Sequence, residues 1–275
     1  MMPLYLITTP VAVLPSLGLD VSVGVSGDDP MADRAHTDSY ELTCSLYKSD
    51  GSFVGRPCLG TGRIEAGERQ LHSLSDLSRK LKIEGDHLAV VHRIPRDYTT
   101  PRDYNLFRAC VQYQRSGSAN YGRVIYESPP SLNVAKLGKR PSSTLTHTNT
   151  IMGGKDYTNY LVLLHYSMDA AYKETANYHY AVFDQHGERI DKRTVEIGPF
   201  QVRAVALPEW TNLCTLVGWC DSAALVVLVL TLHHPTNSIT VEHTSPAQSQ
   251  TMCNQDWQRN EMKKSALESW EKALC

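Results

Sequence analysis

The chain lacks most of the signatures that would assign a chemistry directly. Its most apolar run, AALVVLVLTL at 223–232, is ten residues long, too short to cross a bilayer as a helix. The opening stretch MMPLYLITTPVAVLPSLGLD has no Lys or Arg before its apolar part and carries three prolines, which argues against a signal peptide. Cys-x-x-Cys is absent, and the seven cysteines, at 44, 58, 110, 214, 220, 253 and 275, are odd in number. Neither a disulfide framework nor a Cys-based zinc site is indicated, and reduced thiols in a cytoplasmic protein are expected. With 27 Lys and Arg against 29 Asp and Glu, the net charge is −2, so neither nucleic acid nor a membrane surface is expected as a partner.

Phosphate-binding motifs are missing too. GKRPSST (138–144) and GGKD (153–156) are Gly-rich and basic, but neither follows an apolar strand and opens a helix. LVGWCDSAAL (216–225) sets Cys220 beside Asp221, yet its neighbours match no nucleophile turn. Small apolar packing is the ordinary use of such a cysteine.

What the chain does have is strand periodicity. Short alternating segments, separated by Gly, Pro, Asn and Asp, predict an all-β protein of antiparallel sandwich-like units. The order of signals occurs twice. LDVSVGVSGDD (19–29) matches NYLVLLHYSMDA (159–170), with Val21, Val23 and Val25 against Val162, Leu164 and Tyr166, and Asp28 against Asp169. YELTCSLYKSDGSFV (40–54) matches NYHYAVFDQHGERI (177–190), with Gly51 against Gly187; glycine there supplies the positive φ of a tight turn. IEAGERQLHSL (64–74) matches VEIGPFQVRAV (195–205). LAVVHRIP (88–95) and its expected hairpin partner RVIYESPP (123–130) match LTLHHPTN (230–237) and ITVEHTSP (239–246).

The expected organisation is therefore two tandem repeated units. Residues 1–133 form the first, with a long hairpin insertion at 96–122. Residues 134–157, rich in Ser, Thr, Gly and basic side chains, form a linker, and 158–252 form the second unit. SLSDLSRKLKIEGD (73–86) can hold one short helix, with Leu74, Leu77 and Leu81 at helical spacing. Residues 253–275 are expected as a C-terminal α-helix packing on the β units. Asn254 caps it, Asp256 suits its first turn, and Met262, Ala266, Trp270, Ala273 and Leu274 form one apolar stripe.

Candidate site residues come from two places. The insertion repeats Arg-Asp-Tyr and clusters aromatic and basic groups, so Tyr98, Arg102 and Tyr104 are expected to contact a ligand. TLHHPTNSITVEHTSP (231–246) places His233 and His234 on one arm of a hairpin and Glu242 and His243 on the other. Alternation lets each arm supply one of its pair to a given face. His165 and His179, on other strands, would have to complete a metal set with His233, His243 and Glu242. The matching places in the first half hold His92, Ile125 and Tyr126, so a metal would belong to the second unit alone.

The leading expectation is a non-catalytic protein that binds a peptide or small molecule in a cleft on or between the units, with no cofactor and with His233 and His243 contributing. One alternative is an enzyme that uses the second unit's histidines, with or without a metal ion. Another is a scaffold that acts through the C-terminal helix or a sheet edge.

Overall fold

The computed structural model describes residues 7–26, 39–63, 69–95, 110–125, 145–166, 172–220 and 225–243. Among these residues it is an all-β protein of antiparallel sheets with one α-helix. No described helix is long and apolar enough to cross a membrane. The helix expected over 253–275 lies outside the described residues, as do Tyr98, Arg102 and Tyr104. The chain divides into two compact units, Met1–Ser128 with Asn237–Val241, and Pro129–Thr236 with Glu242–Cys275.

In the first unit, β1 (Ile7–Val13), β7 (His87–Pro95), β3 (Ser39–Tyr47) and β4 (Phe53–Gly55) lie side by side in that order, with β5 (Cys58–Arg63) also paired to β3. A second sheet is ordered β6 (Arg69–Ser73), β2 (Leu19–Ser26), β8 (Cys110–Arg115), β9 (Tyr121–Ile125). The Leu-periodic segment forms α1 (Leu74–Lys80). Ser73 caps it by accepting from the Asp76 amide, which satisfies one of the amides a helix start leaves orphaned. The helix buries Leu74, Ser75 and Ser78, and Ser75 Oγ accepts from the Val21 amide of β2 at 2.8 Å.

In the second unit, one sheet is ordered β10 (Leu145–Ile151), β15 (Cys214–Cys220), β12 (Ala176–Phe183), β13 (Arg189–Ile197). The other is ordered β14 (Gln201–Ala206), β11 (Tyr157–His165), β16 (Leu225–His233), with β17 (Ser238–His243) next in the order; Ser238–Val241 of β17 are counted with the first unit. A single core joins Leu161, Leu163, Val227 and Val229 of one sheet to Tyr178, Tyr180, Val182 and Leu216 of the other, which makes this unit a β-sandwich. The run at 223–232 supplies β16. Val226, Leu228 and Leu230 on the face away from that core are as buried as Val227 and Val229. Burial of both faces explains why this strand reads as continuous apolar sequence rather than as alternation.

The turns at Gly51 and Gly187 are built alike. Lys48 and Asp184 donate to the carbonyls of Ser52 and Glu188, and each glycine amide donates back to Lys48 or Asp184. Both glycines have φ above +80°, a region that side chains avoid.

Three sequence expectations are corrected. β7 does not pair with β9. It lies between β1 and β3; β9 closes with β8 the hairpin expected in the insertion, with Ser-Gly-Ser at its tip. Every described position of β7 from His87 to His92 is buried, as befits a central strand that needs two neighbours. Likewise, β8 is no excursion: it pairs along β2 from Leu19↔Arg115 to Gly24↔Cys110. The stretch read as a linker contributes β10, whose alternating Thr residues favour extended backbone.

Leu163 is fully buried in the second core. Leu163→Ala is expected to destabilise the protein by about 2–5 kcal/mol, read from the urea midpoint of the full chain.

Candidate functional site

The histidines proposed as ligands do not converge. His165 ends β11 facing the core and is 1% exposed. Its Nδ1–H donates to the Gly198 carbonyl at 3.0 Å, with the Ile197 carbonyl at 3.3 Å, and Tyr172 donates to Nε2 at 3.3 Å. Both ring nitrogens are thus committed to protein groups. His179 lies on the facing sheet, and its cross-strand partners Trp219 and Thr194 put it on the outer face. It stacks on Trp219 at 5.3 Å and shares a hydrogen bond with Thr194. His233 stacks on Tyr157 at 4.8 Å and bonds Thr236 through Nδ1. Glu242 accepts from Asn149 Nδ2 at 3.2 Å, and His243 is half-buried on β17. Among the described residues, no group of three or more His, Cys, Asp or Glu side chains is placed to hold a metal ion. Alternation along strands and opposition across the sandwich separate the set that sequence spacing suggested.

Burial pushes His165 below the ordinary histidine range, and the two carbonyls at Nδ1 oppose this only in part. His92, in the first unit, is pushed down to about 3, by burial first and the Arg56 charge second.

The structure gathers a different set of residues at one end of the second sandwich. The loop 152–156 links β10 to β11, 207–213 links β14 to β15, and the hairpin turn 234–237 follows β16. Asn159 ties them together. Its Nδ2 donates to the Met152 carbonyl at 2.7 Å, its Oδ1 accepts from Thr231 at 2.8 Å, and its own carbonyl accepts from the Leu207 amide. Gly154 donates to the Trp210 carbonyl at 2.7 Å, and His234 donates from its amide to Asp156. Gly153 touches the opposite loop so closely that a Cβ there would overlap the Asn212 carbonyl and lie 2.7 Å from the Asn212 amide nitrogen. Only glycine permits this approach. The Gly-Gly pair is therefore a packing device, not a phosphate cradle.

On this frame sit apolar side chains that water still reaches. β10 ends where β15 begins, at Ile151↔Cys214, and β12 ends where β13 begins, at Phe183↔Arg189. Met152, Leu213, half-buried Phe183 and Ile190 thus follow one another across the end of one sheet. Met152, Leu213 and Ile190 are 37%, 53% and 42% exposed. Apart from His233, none of these residues was visible as a site in the sequence. The signal that bears on them is the Gly-Gly pair at 153–154.

The chain matches no family model and no curated protein. Solved structures that align with it include a glycosyl hydrolase family 2 member from Bacteroides cellulosilyticus DSM 14838, with 9% identity over 86% of this chain and 27% of that one and a TM-score of 0.21. A putative β-galactosidase from Bacteroides fragilis aligns at 9% identity over 86% and 32%, with a TM-score of 0.20. A β-glucuronidase from Bacteroides uniformis aligns at 7% identity over 87% and 26%, also with a TM-score of 0.20. The chain spans between a quarter and a third of each. Likeness at this level carries no argument about fold or activity.

Two outcomes are expected. Gly153→Ala should cost about 1–3 kcal/mol, because the clash is with backbone and no rotamer relieves it; urea denaturation reads this. Stability should also fall on acidification. An unfolded histidine takes up a proton near pH 6.5, whereas His165 and His92 in the fold resist it. Their contribution is complete above that pH and is lost as pH falls toward the depressed folded values. Urea midpoints at pH 7 and pH 4.5 should differ less in His165→Gln than in the parent chain.

Proposed function

We propose that the protein is a non-catalytic binding protein whose second unit recognises an extended peptide with apolar side chains. The observation that carries this reading is the row Met152, Leu213, Phe183 and Ile190 across one sheet end, with the Tyr157–His233 stack nearby. Four adjacent strands place such a row over roughly 14 Å, the length of about four extended residues. The backbone beneath is tied down by Asn159 and by the Gly153–Asn212 contact. A preordered frame lowers the entropy lost on binding.

We read the two units as copies of one eight-strand plan. The orders β1-β7-β3-β4 and β6-β2-β8-β9 become β10-β15-β12-β13 and β14-β11-β16-β17 when the first unit's β4 and β5 are counted as one position. On this reading β16 takes the place of β8, not of β7, so the likeness of 88–95 to 230–237 is a shifted match. The copies differ between the sixth and seventh strands of the first unit, where α1 stands and the second unit has only the loop 207–213. The helix fills that end in the first unit, where Ser16 donates to Asp86 through its amide at 3.0 Å and its hydroxyl at 2.6 Å. This asymmetry favours the second unit as the binding one. None of the five described cysteines is in a disulfide, which supports a reducing compartment such as the cytoplasm.

A peptide display library panned on the full chain, with Leu213→Asp as the counter-screen, tests the reading. Peptides with apolar residues should be enriched on the parent chain and bind Leu213→Asp roughly 10- to 100-fold more weakly, the worth of one buried apolar side chain. Equal enrichment on both chains would remove the loop end as a site.

A further inference from the structure

The apolar row at the loop end of the second unit is set among charges of predominantly one sign. The turn that joins Phe183 to Ile190 carries Asp184 and Glu188, the loop 207–213 carries Glu209, and the loop 152–156 carries Asp156. Glu188, Glu209 and Asp156 are exposed, and Asp184 is half-buried. Against these four carboxylates stand two cations, Lys155 beside Asp156 and Arg189 across the ladder from Phe183. The hairpin turn 234–237 adds no carboxylate and no Lys or Arg.

The backbone holds these carboxylates at the row. The Asp184 amide donates to the Glu188 carbonyl at 2.9 Å, and Asp184 Oδ1 accepts from the amides of His186 at 2.8 Å and Glu188 at 2.9 Å. The turn is closed on itself, so both carboxylates stay between Phe183 and Ile190. Those amides, that of Glu188 foremost, hold the Asp184 carboxyl below the ordinary carboxylate range, which keeps it ionised at neutral pH. Phe183 stands opposite Thr215, two residues beyond Leu213, so this turn adjoins the middle of the row. Glu209 precedes Trp210, whose carbonyl accepts from the Gly154 amide at 2.7 Å. That bond joins the loop of Glu209 to the loop of Lys155 and Asp156, beside Met152.

An apolar strip set among carboxylates disfavours an acidic partner, whose own carboxylates would lose water beside like charge. It suits a partner with an apolar middle and basic ends. The strip takes the middle, and the rim steers the ends. Resting on the peptide-binding reading above, we propose that the loop end selects peptides in which a short apolar run is flanked by Lys or Arg. The apolar contacts supply most of the affinity. Exposed ion pairs at the rim are worth roughly two- to fivefold each, and they set the choice of partner.

The test uses three synthetic fluorescent peptides that share one apolar core of about four residues and differ in their flanks, which are lysine, serine or glutamate. Each is titrated into the full chain and into Leu213→Asp. At low ionic strength the lysine-flanked peptide should bind roughly tenfold or more tightly than the glutamate-flanked one, with serine between. The spread should narrow as added salt shortens the reach of surface charge. Glu188→Gln combined with Glu209→Gln, both changes at exposed side chains, should weaken the lysine-flanked peptide roughly three- to tenfold and leave the serine-flanked one unchanged. Equal binding of all three peptides, a preference for glutamate, or an unaltered lysine preference in the double variant would each overturn the inference while leaving the apolar site standing. A serine-flanked peptide that binds the parent chain no better than Leu213→Asp would overturn the site itself, and the inference with it.

Discussion

The pairing of β11 with β16, from Tyr157↔His233 to His165↔Leu225, is the constraint on which the second unit depends. Both strands bury both faces, so the ladder cannot look to water for its hydrogen bonds. Its register decides everything packed against it. With Leu163 opposite Val227 and Leu161 opposite Val229, one side of the sheet meets Tyr178, Tyr180 and Leu216 in a single core. A slip of one residue would exchange the two faces of β16. It would also separate Tyr157 from His233 and Asn159 from Thr231, the pairs that tie the ladder to the loop end.

The loop end inherits its rigidity from that ladder. Asn159 is a strand residue, yet its side chain holds the Met152 carbonyl while its main chain holds Leu207. The loops on either side of it can therefore leave apolar side chains in contact with water without collapsing over them. Gly153 completes the arrangement by letting two backbones approach more closely than any Cβ allows. The histidines serve the same architecture. His165 bridges a strand end to the carbonyls of Ile197 and Gly198 at the end of β13, and His87 bridges the Gly85 carbonyl to Ser78 of α1. Imidazole can be donor and acceptor at once, which suits it to junctions where a single donor or acceptor would leave a group unmet.

The local features were legible in the chain. Alternation in LDVSVGVS and YELTCSLY marked strands, glycine marked the turns at 51 and 187, and Leu74, Leu77 and Leu81 marked the helix. These depend on contacts between near neighbours, which leave a periodic trace. The partnership of β7 left none. LAVVHRIP would suit a hairpin with any alternating segment, and its place between β1 and β3 follows from burial on two faces. The Ser- and Thr-rich stretch before 157 hid β10 because its polar composition resembles a loop, while its strand character depends on the partner β15. The histidine cluster was legible as composition only. Four ring-bearing positions close in sequence pattern were dispersed to an interior, an outer face and a hairpin.

Periodicity and turn residues alone specified the β class, the turns and the one described α-helix. Period and turn chemistry are properties of a few consecutive residues, and they survive without tertiary context. Which strands are neighbours, which imidazole nitrogens are occupied and which apolar side chains remain in water follow from the assembled fold. Those outcomes depend on residues far apart in the chain meeting at one place, as Asn159 does with Met152, Leu207 and Thr231, and no local spacing records such a meeting.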